Sequence, residues 1–217
     1  MSLDAVTDSL KQSLDLFKNN AVALVVGTII SILIIMFLGW LIIPLAPIMY
    51  GLTYMAVKAA RGEKVEIVDV FFAFRSVKRF IRSWMYFIVI FVLAFIVGII
   101  AGILFAALGM VNEYLAYLAF VVAFILIFII AIGLLYSNSL FVLNSSMGVI
   151  DCLKESLAVS KGNILGTIVA VIVVSILQFI GGLFIVLPLI TTPIGCLFVV
   201  CLIKELRPDI PDTADDV

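Results

Sequence analysis

The chain has 217 residues, 65% of them hydrophobic and 12% charged, with a mean hydropathy of +1.38; a soluble core of this length could not hide that much apolar surface. A soluble domain is excluded and the membrane class is indicated. The 13 basic and 14 acidic residues nearly cancel, which excludes no class of partner, so the placement of charge matters more than its sum.

Residues 1–20 carry Leu3, Val6, Leu10, Leu14 and Phe17 on one helical stripe, with Asp4, Asp8, Lys11, Asp15 and Lys18 beside it. This is an amphipathic lead-in helix, lying in the headgroup region or packed on the ends of its own bundle. Residues 21–60 then supply about two bilayer crossings at ~20 residues each. The turn is expected near Gly39-Trp40, with Pro44 in the first turn of the second helix and Pro47 one turn later as a break.

Residues 61–83 hold Arg61, Lys64, Arg75, Lys78, Arg79 and Arg82, and Glu63, Glu66 and Asp69 cluster at their start. Apolar residues recur at three- and four-residue steps, so the reading is a juxtamembrane amphipathic helix with acids early and bases late. Arg75, Lys78, Arg79 and Arg82 are candidate contacts for anionic headgroups or a partner; equally, these charges could serve only to set orientation.

Trp84 to Met110 and Tyr114 to Tyr136 form a second hairpin, turned at residues 111–113. Ala94, Gly98, Gly102 and Ala106 are spaced by four, which predicts the closest helix contact in the bundle. Residues 137–163 return as a third amphipathic segment with Ser145 or Ser146 as N-cap. Residues 164–203 are the third hairpin, turned at Gly181-Gly182, with Pro188 and Pro193 as its breaks. The tail from 204 to 217 is acidic with two prolines and reads as a flexible end.

The chain repeats itself. Ser13-Leu-Asp-Leu-Phe-Lys18-Asn-Asn20 and Ser156-Leu-Ala-Val-Ser-Lys161-Gly-Asn163 each precede a membrane-length run ending in a proline pair, and Ser76 to Ser83 is a weaker copy. Ser, Lys and Asn at one offset predict a parallel internal repeat with units at about 1–60, 61–136 and 137–203. Lys18 and Lys161 are then snorkelling anchors, caps or phosphate contacts. The expected fold is an all-α, six-span bundle with three amphipathic lead-ins, a single membrane domain over 1–203. All 13 basic residues fall on one side of it, so both termini are expected in the cytoplasm and the chain in the plasma membrane. No removable signal peptide is expected.

Chemistry-bearing patterns are sparse. There is no histidine, no phosphate-binding Gly-rich loop and no nucleophile motif. Cys152, Cys196 and Cys201 lack zinc-like spacing and read as free thiols. Apart from the cysteines, no ionisable side chain lies deep in an apolar run, the usual marker of ion-coupled transport. Thr28, Ser31, Tyr50, Thr53, Tyr54, Ser175, Gln178, Thr191 and Thr192 are expected to make helix–helix hydrogen bonds. No catalytic residue, cofactor or metal is predicted, and nucleic acid is not an expected partner.

Lys154-Glu-Ser156-Leu, Lys161-Gly-Asn163 and the prolines 188 and 193 resemble a pattern of prokaryotic membrane families that includes the membrane domain found beside some glycerophosphoryl diester phosphodiesterases. The Arg61-Gly-Glu-Lys and Asp69-Val-Phe-Phe-Ala-Phe-Arg75 stretches are similar to the loop of the same group. The resemblance implies a helical membrane fold and carries over no catalytic residue. The expected function is non-enzymatic, through membrane lipids, a protein partner or a second copy at the basic face; the alternative is a permease or export component for a lipid-like or neutral substrate. A permease should show a polar cavity near Pro44, Pro47, Pro188 and Pro193, and an interaction protein a closed core.

Overall fold

The computed structural model describes residues 3–39, 42–183 and 187–215. In chain order the elements are α1 (Leu3–Leu38), α2 (Leu45–Ala60), a 3-10 helix η1 (Ile67–Arg75), α3 (Val77–Gly109), α4 (Glu113–Leu134), α5 (Ser137–Leu143), α6 (Val149–Gly162), α7 (Ile164–Leu183) and α8 (Pro188–Leu206). The protein is all-helical, with no strand among the described residues. Five stretches are long and apolar enough to cross a bilayer: Asp4–Leu38, Val77–Gly109, Tyr117–Leu143, Ile164–Leu183 and Pro188–Leu206. That makes it a membrane protein. The second predicted span is the exception: α2 has 16 residues, or ~24 Å of helix against ~30 Å of hydrocarbon.

α2 and α8 form the centre. α8 packs on α1, α2 and α7, and α2 also packs on η1 and α5; both central helices are buried over most of their length. The α3–α4 hairpin stands apart. Its two helices pack on each other, α3 also on η1 and α2, and α4 also on α6 and α7; Ser83 is the one buried residue in α3, and much of the hairpin presents large apolar side chains such as Phe91, Phe95 and Phe124 outward. In lipid such a surface needs no protein cover, because acyl chains are as apolar as the side chains.

The two strong copies of the repeated motif share a local geometry. Asn20 leaves helical angles (φ −120°, ψ 16°) and kinks α1 between lead-in and membrane segment; Asn163 (φ −137°, ψ 43°) separates α6 from α7. Each amide side chain donates four residues back, to the Leu16 carbonyl at 3.1 Å and the Val159 carbonyl at 3.2 Å, covering an acceptor of the preceding turn. Ser83, the third copy's equivalent, remains inside α3.

Several boundaries differ from expectation. The predicted 61–83 helix is broken at Ser76 (φ −147°, ψ 135°) into η1 and the first turns of α3. α7 runs through Gly181 and Gly182 to Leu183, so the chain does not turn at Gly181-Gly182 as expected; residues 184–186 lie outside the described residues. Gly39 follows the end of α1, but Trp40 lies outside the described residues. Asn112 caps α4, its Oδ1 accepting from Tyr114 N at 2.8 Å, in the turn expected there. α6 starts from Gly148 rather than from Ser145 or Ser146. Ser145 instead accompanies the tail, and Ser146 donates to Asn144.

The predicted close contact at Ala94, Gly98, Gly102 and Ala106 is not made: a Cβ added at Gly98 or Gly102 would meet nothing within 4 Å. Ala94 and Gly98 border a gap of about 250 Å³ between α3 and α4. The close approach occurs at Gly51, where an added Cβ would fall on the Val70 backbone carbonyl. Only glycine lets η1 lie this close to α2. Gly51→Ala should therefore destabilise the protein by about 1–3 kcal/mol or more through overpacking, whereas Gly98→Ala should be neutral or slightly stabilising; denaturation of both variants in detergent checks this, and equal losses would contradict it.

Candidate functional site

The charged residues gather at one end of the bundle. Ser9, near the start of α1, donates to Glu205 at the end of α8 (2.8 Å), and the end of α2 meets η1 through Lys58 and Asp69 (2.8 Å). The Asp69 side chain is 2% exposed and also accepts from Glu66 N at 2.9 Å and Arg75 at 3.3 Å. A carboxylate so deeply buried needs this set of donors, because an unpaired buried charge costs several kcal/mol, order ~3–5 when one partner is removed.

η1 brings Phe72 onto Tyr54, with ring centroids 3.5 Å apart and planes 3° from parallel. The Arg79 guanidinium lies 4.0 Å from the Phe72 centroid. Arg82 sits 4.0 Å from the Phe141 centroid and donates to the carbonyls of Phe141 (2.9 Å), Asn144 (2.7 Å) and Ser145 (2.6 Å). A fixed planar cation thus satisfies the carbonyls at the end of α5, as cations do at helix C-termini. Asn144 is buried and its side chain is engaged by Ser146, so its Asn-x-Ser pattern is not presented to solvent.

The predicted contact residues divide into two groups. Arg75, Arg79 and Arg82 are engaged internally as described. Lys78 and Lys161 are exposed and make no ion pair among the described residues. Lys18 is exposed and pairs only with Asp15 at 3.5 Å, both side chains more than 70% exposed; such a pair contributes little, ~0–1 kcal/mol.

The predicted proline breaks differ in position from the expectation. Pro44 precedes α2 as its N-cap, and Pro47 falls in the first turn, where no helical N–H bond is lost. Pro47 is therefore no break. Pro188 opens α8 and Pro193 lies inside it; Pro47 and Pro193 are both buried. Of the hydroxyls expected between helices, Thr28 donates to Leu24 O (2.8 Å), Ser31 to Gly27 O (2.8 Å), Thr53 to Met49 O (3.2 Å) and Thr191 to Leu187 O (3.1 Å), each within its own helix. Thr53 also accepts from Asn138 at 2.8 Å. Ser175 and Gln178 are exposed on α7.

A cleft of about 430 Å³ opens beside the α1 kink, lined by Lys18 to Ala23 on one side and Lys64 to Ile67 on the other. Asn20 helps to shape it, accepting from Val65 N at 3.4 Å. Two lysines and the Asn19 and Asn20 amides supply its polar part, together with Glu66; Val22, 76% exposed, and Ile67 supply its apolar part. The cleft lies at the kink in α1, between its amphipathic first segment and its apolar second one.

The C-terminal residues are not a free tail. Arg61 binds both Asp212 oxygens and donates to Asp215 at 2.5 Å; Tyr54 donates to Asp215 Oδ1 at 2.5 Å, and Arg79 to the Asp215 carbonyl at 2.9 Å. Lys204 reaches Asp212 at 3.3 Å. Thr213 N donates to Leu143 O at 3.0 Å, its Oγ1 accepts from Ser145 N at 3.0 Å, and Ala214 is fully buried. Sequence reasoning missed Arg61, Tyr54, Asp212 and Asp215 as a unit. The available signal was the opposite charge of Arg61 and the terminal acids.

Burial pushes the Cys152 thiol up to about 11, so it stays protonated at neutral pH. Among the described residues no group of three or more His, Cys, Asp or Glu is placed to hold a metal ion. Hydrogen bonding to Asp212 raises the Arg61 pKa, against burial. Burial alone would raise Asp212 and Asp215, but hydrogen bonds and the charge of Arg61, with Lys204 at Asp212 and Tyr54 at Asp215, hold both below the ordinary 3.8. A docked carboxylate with a lowered pKa contributes binding that is complete above the free value and lost as pH falls through the docked one. A nitroxide on Pro211→Cys should accordingly stay immobile from neutral pH down to the ordinary carboxylate value of 3.8 and gain mobility only below it; mobility at neutral pH would contradict the docked tail. Comparison of the chain with family models, curated proteins and solved structures found no match.

Proposed function

We propose that this is a non-enzymatic membrane protein of the plasma membrane that binds anionic phospholipid through the cleft at the α1 kink. The observation that carries the reading is the cleft itself: two exposed lysines and the Asn19 amide against one carboxylate, Glu66, with apolar side chains and about 430 Å³ of room. Lysine suits this task, being a hydrated point charge on a flexible stem that follows a mobile headgroup, at ~1 kcal/mol each near an anionic surface.

The topology belongs to the same proposal. The Ser9–Glu205 hydrogen bond joins the start of α1 to the end of α8 at one end of the bundle, which favours an even number of crossings, and α2 with the preceding turn is the natural sixth. With the lysines and arginines gathered at that end, the positive-inside rule favours both termini in the cytoplasm. The matching bonds of Asn20 and Asn163 favour the parallel repeat. A permease is the weaker reading, because Pro47 and Pro193 are buried and Thr53 and Thr191, on the same helices, are already hydrogen-bonded within the protein.

A ligand that binds only the folded state raises its melting temperature. In detergent, added phosphatidylglycerol should stabilise the protein by several degrees more than phosphatidylcholine, and Lys18→Gln with Lys64→Gln should remove most of that difference. Equal stabilisation by the two lipids in the native chain would overturn the proposal.

A further inference from the structure

Residues 212–215 are seated in a groove of the charged end. Five features define it. Arg61, with only 13% of its side chain exposed, grips Asp212 with two donors and reaches Asp215 as well. Tyr54 holds the other Asp215 oxygen. Arg79, fixed over Phe72, reads a backbone carbonyl. Leu143 O and Ser145 read the backbone N–H and hydroxyl of Thr213. A closed pocket takes the small side chain of Ala214. The contacts reach both the backbone and the four consecutive side chains of residues 212–215, and the bidentate Arg–carboxylate pair sets the charge requirement. Removing the acidic chain would leave Arg61 with only the half-exposed Glu63, 3.5 Å away, in place of three carboxylates, so the empty groove favours an acidic occupant.

We propose that this groove is a docking site for a protein partner bearing an Asp-x-x-Asp segment with a small residue before the second Asp, turned at its end as residues 214–215 are, and that residues 212–215 hold it closed as an intramolecular stand-in. The stand-in is tethered to Leu206 by five residues, 207–211, so its effective concentration is on the order of millimolar. A partner segment of equal intrinsic affinity therefore binds only when the tail is released or when a second contact adds avidity. The site is distinct from the lipid cleft, and neither proposal depends on the other.

The test uses the full chain in detergent and a fluorescein-labelled peptide of residues 209–217. An Asp212→Asn, Asp215→Asn chain should bind this peptide at least tenfold more tightly than the native chain does. Arg61→Gln in that background should abolish binding, and a peptide with both aspartates replaced by asparagine should not bind. A monodisperse variant that fails to bind, or that binds no better than the native chain, overturns the proposal; so does a variant that gains binding to phosphatidylglycerol vesicles instead, which would make the groove a lipid site. Should the variant not fold, the native chain still decides: excess unlabelled peptide must mobilise a nitroxide at Pro211→Cys, and an unchanged spectrum overturns the proposal.

Discussion

The close approach of η1 to α2 at Gly51 governs the charged end of this protein. Because residue 51 has no side chain, the Val70 carbonyl lies against the helix, and the Lys58–Asp69 pair closes the same junction about two turns later. Seating η1 there carries Phe72 onto Tyr54. The stacked rings then hold Arg79, and Tyr54 and Arg79 together with Arg61 receive Asp215. A single short contact between two backbones therefore positions one tyrosine, one phenylalanine and two arginines.

Arginine and lysine have divided the work. Arg79 and Arg82 lie on aromatic faces and donate to carbonyls, as a weakly hydrated planar fork is suited to do. Lys64, Lys78 and Lys161 remain in solvent without ion pairs among the described residues. Neutralising arginines and lysines here would not be the same experiment: the first group supports the fold of the charged end, and the second is free to meet an external anion. A basic surface that reads as one patch in sequence is two populations in space.

What was legible in the sequence follows from this. Hydropathy gave the long membrane helices, and the turn at Asn112 and the special status of Asn20 and Asn163 were visible, because these depend on local chemistry. The 3-10 character of η1 was not. Within nine residues a spacing of three, as in Asp69–Phe72–Arg75 or Val70–Ala73, fits a 3.0 period as well as a 3.6 period. Small residues spaced by four show that a helix could be approached, not that it is. Gly98 and Gly102 offered the pattern and remain open, while Gly51, isolated in the sequence, makes the contact. The tail was misread for a related reason: an acidic, proline-bearing end looks free until the buried arginine that pairs with it is placed beside it. Of the residues in the lipid cleft, Lys18 and Asn20 were noted and Lys64 was not singled out, since only the kink in α1 brings it near them.

The account's central claim is that the charged end is a built receptor for anionic lipid rather than a set of charges that only orients the chain. Native mass spectrometry of the protein released with its own membrane tests it most directly. The account predicts retention of an anionic phospholipid by the native chain and its loss when Lys18 and Lys64 are both neutralised, with the fold intact. A chain that emerges without lipid, or that carries zwitterionic and anionic lipids without preference, would contradict it.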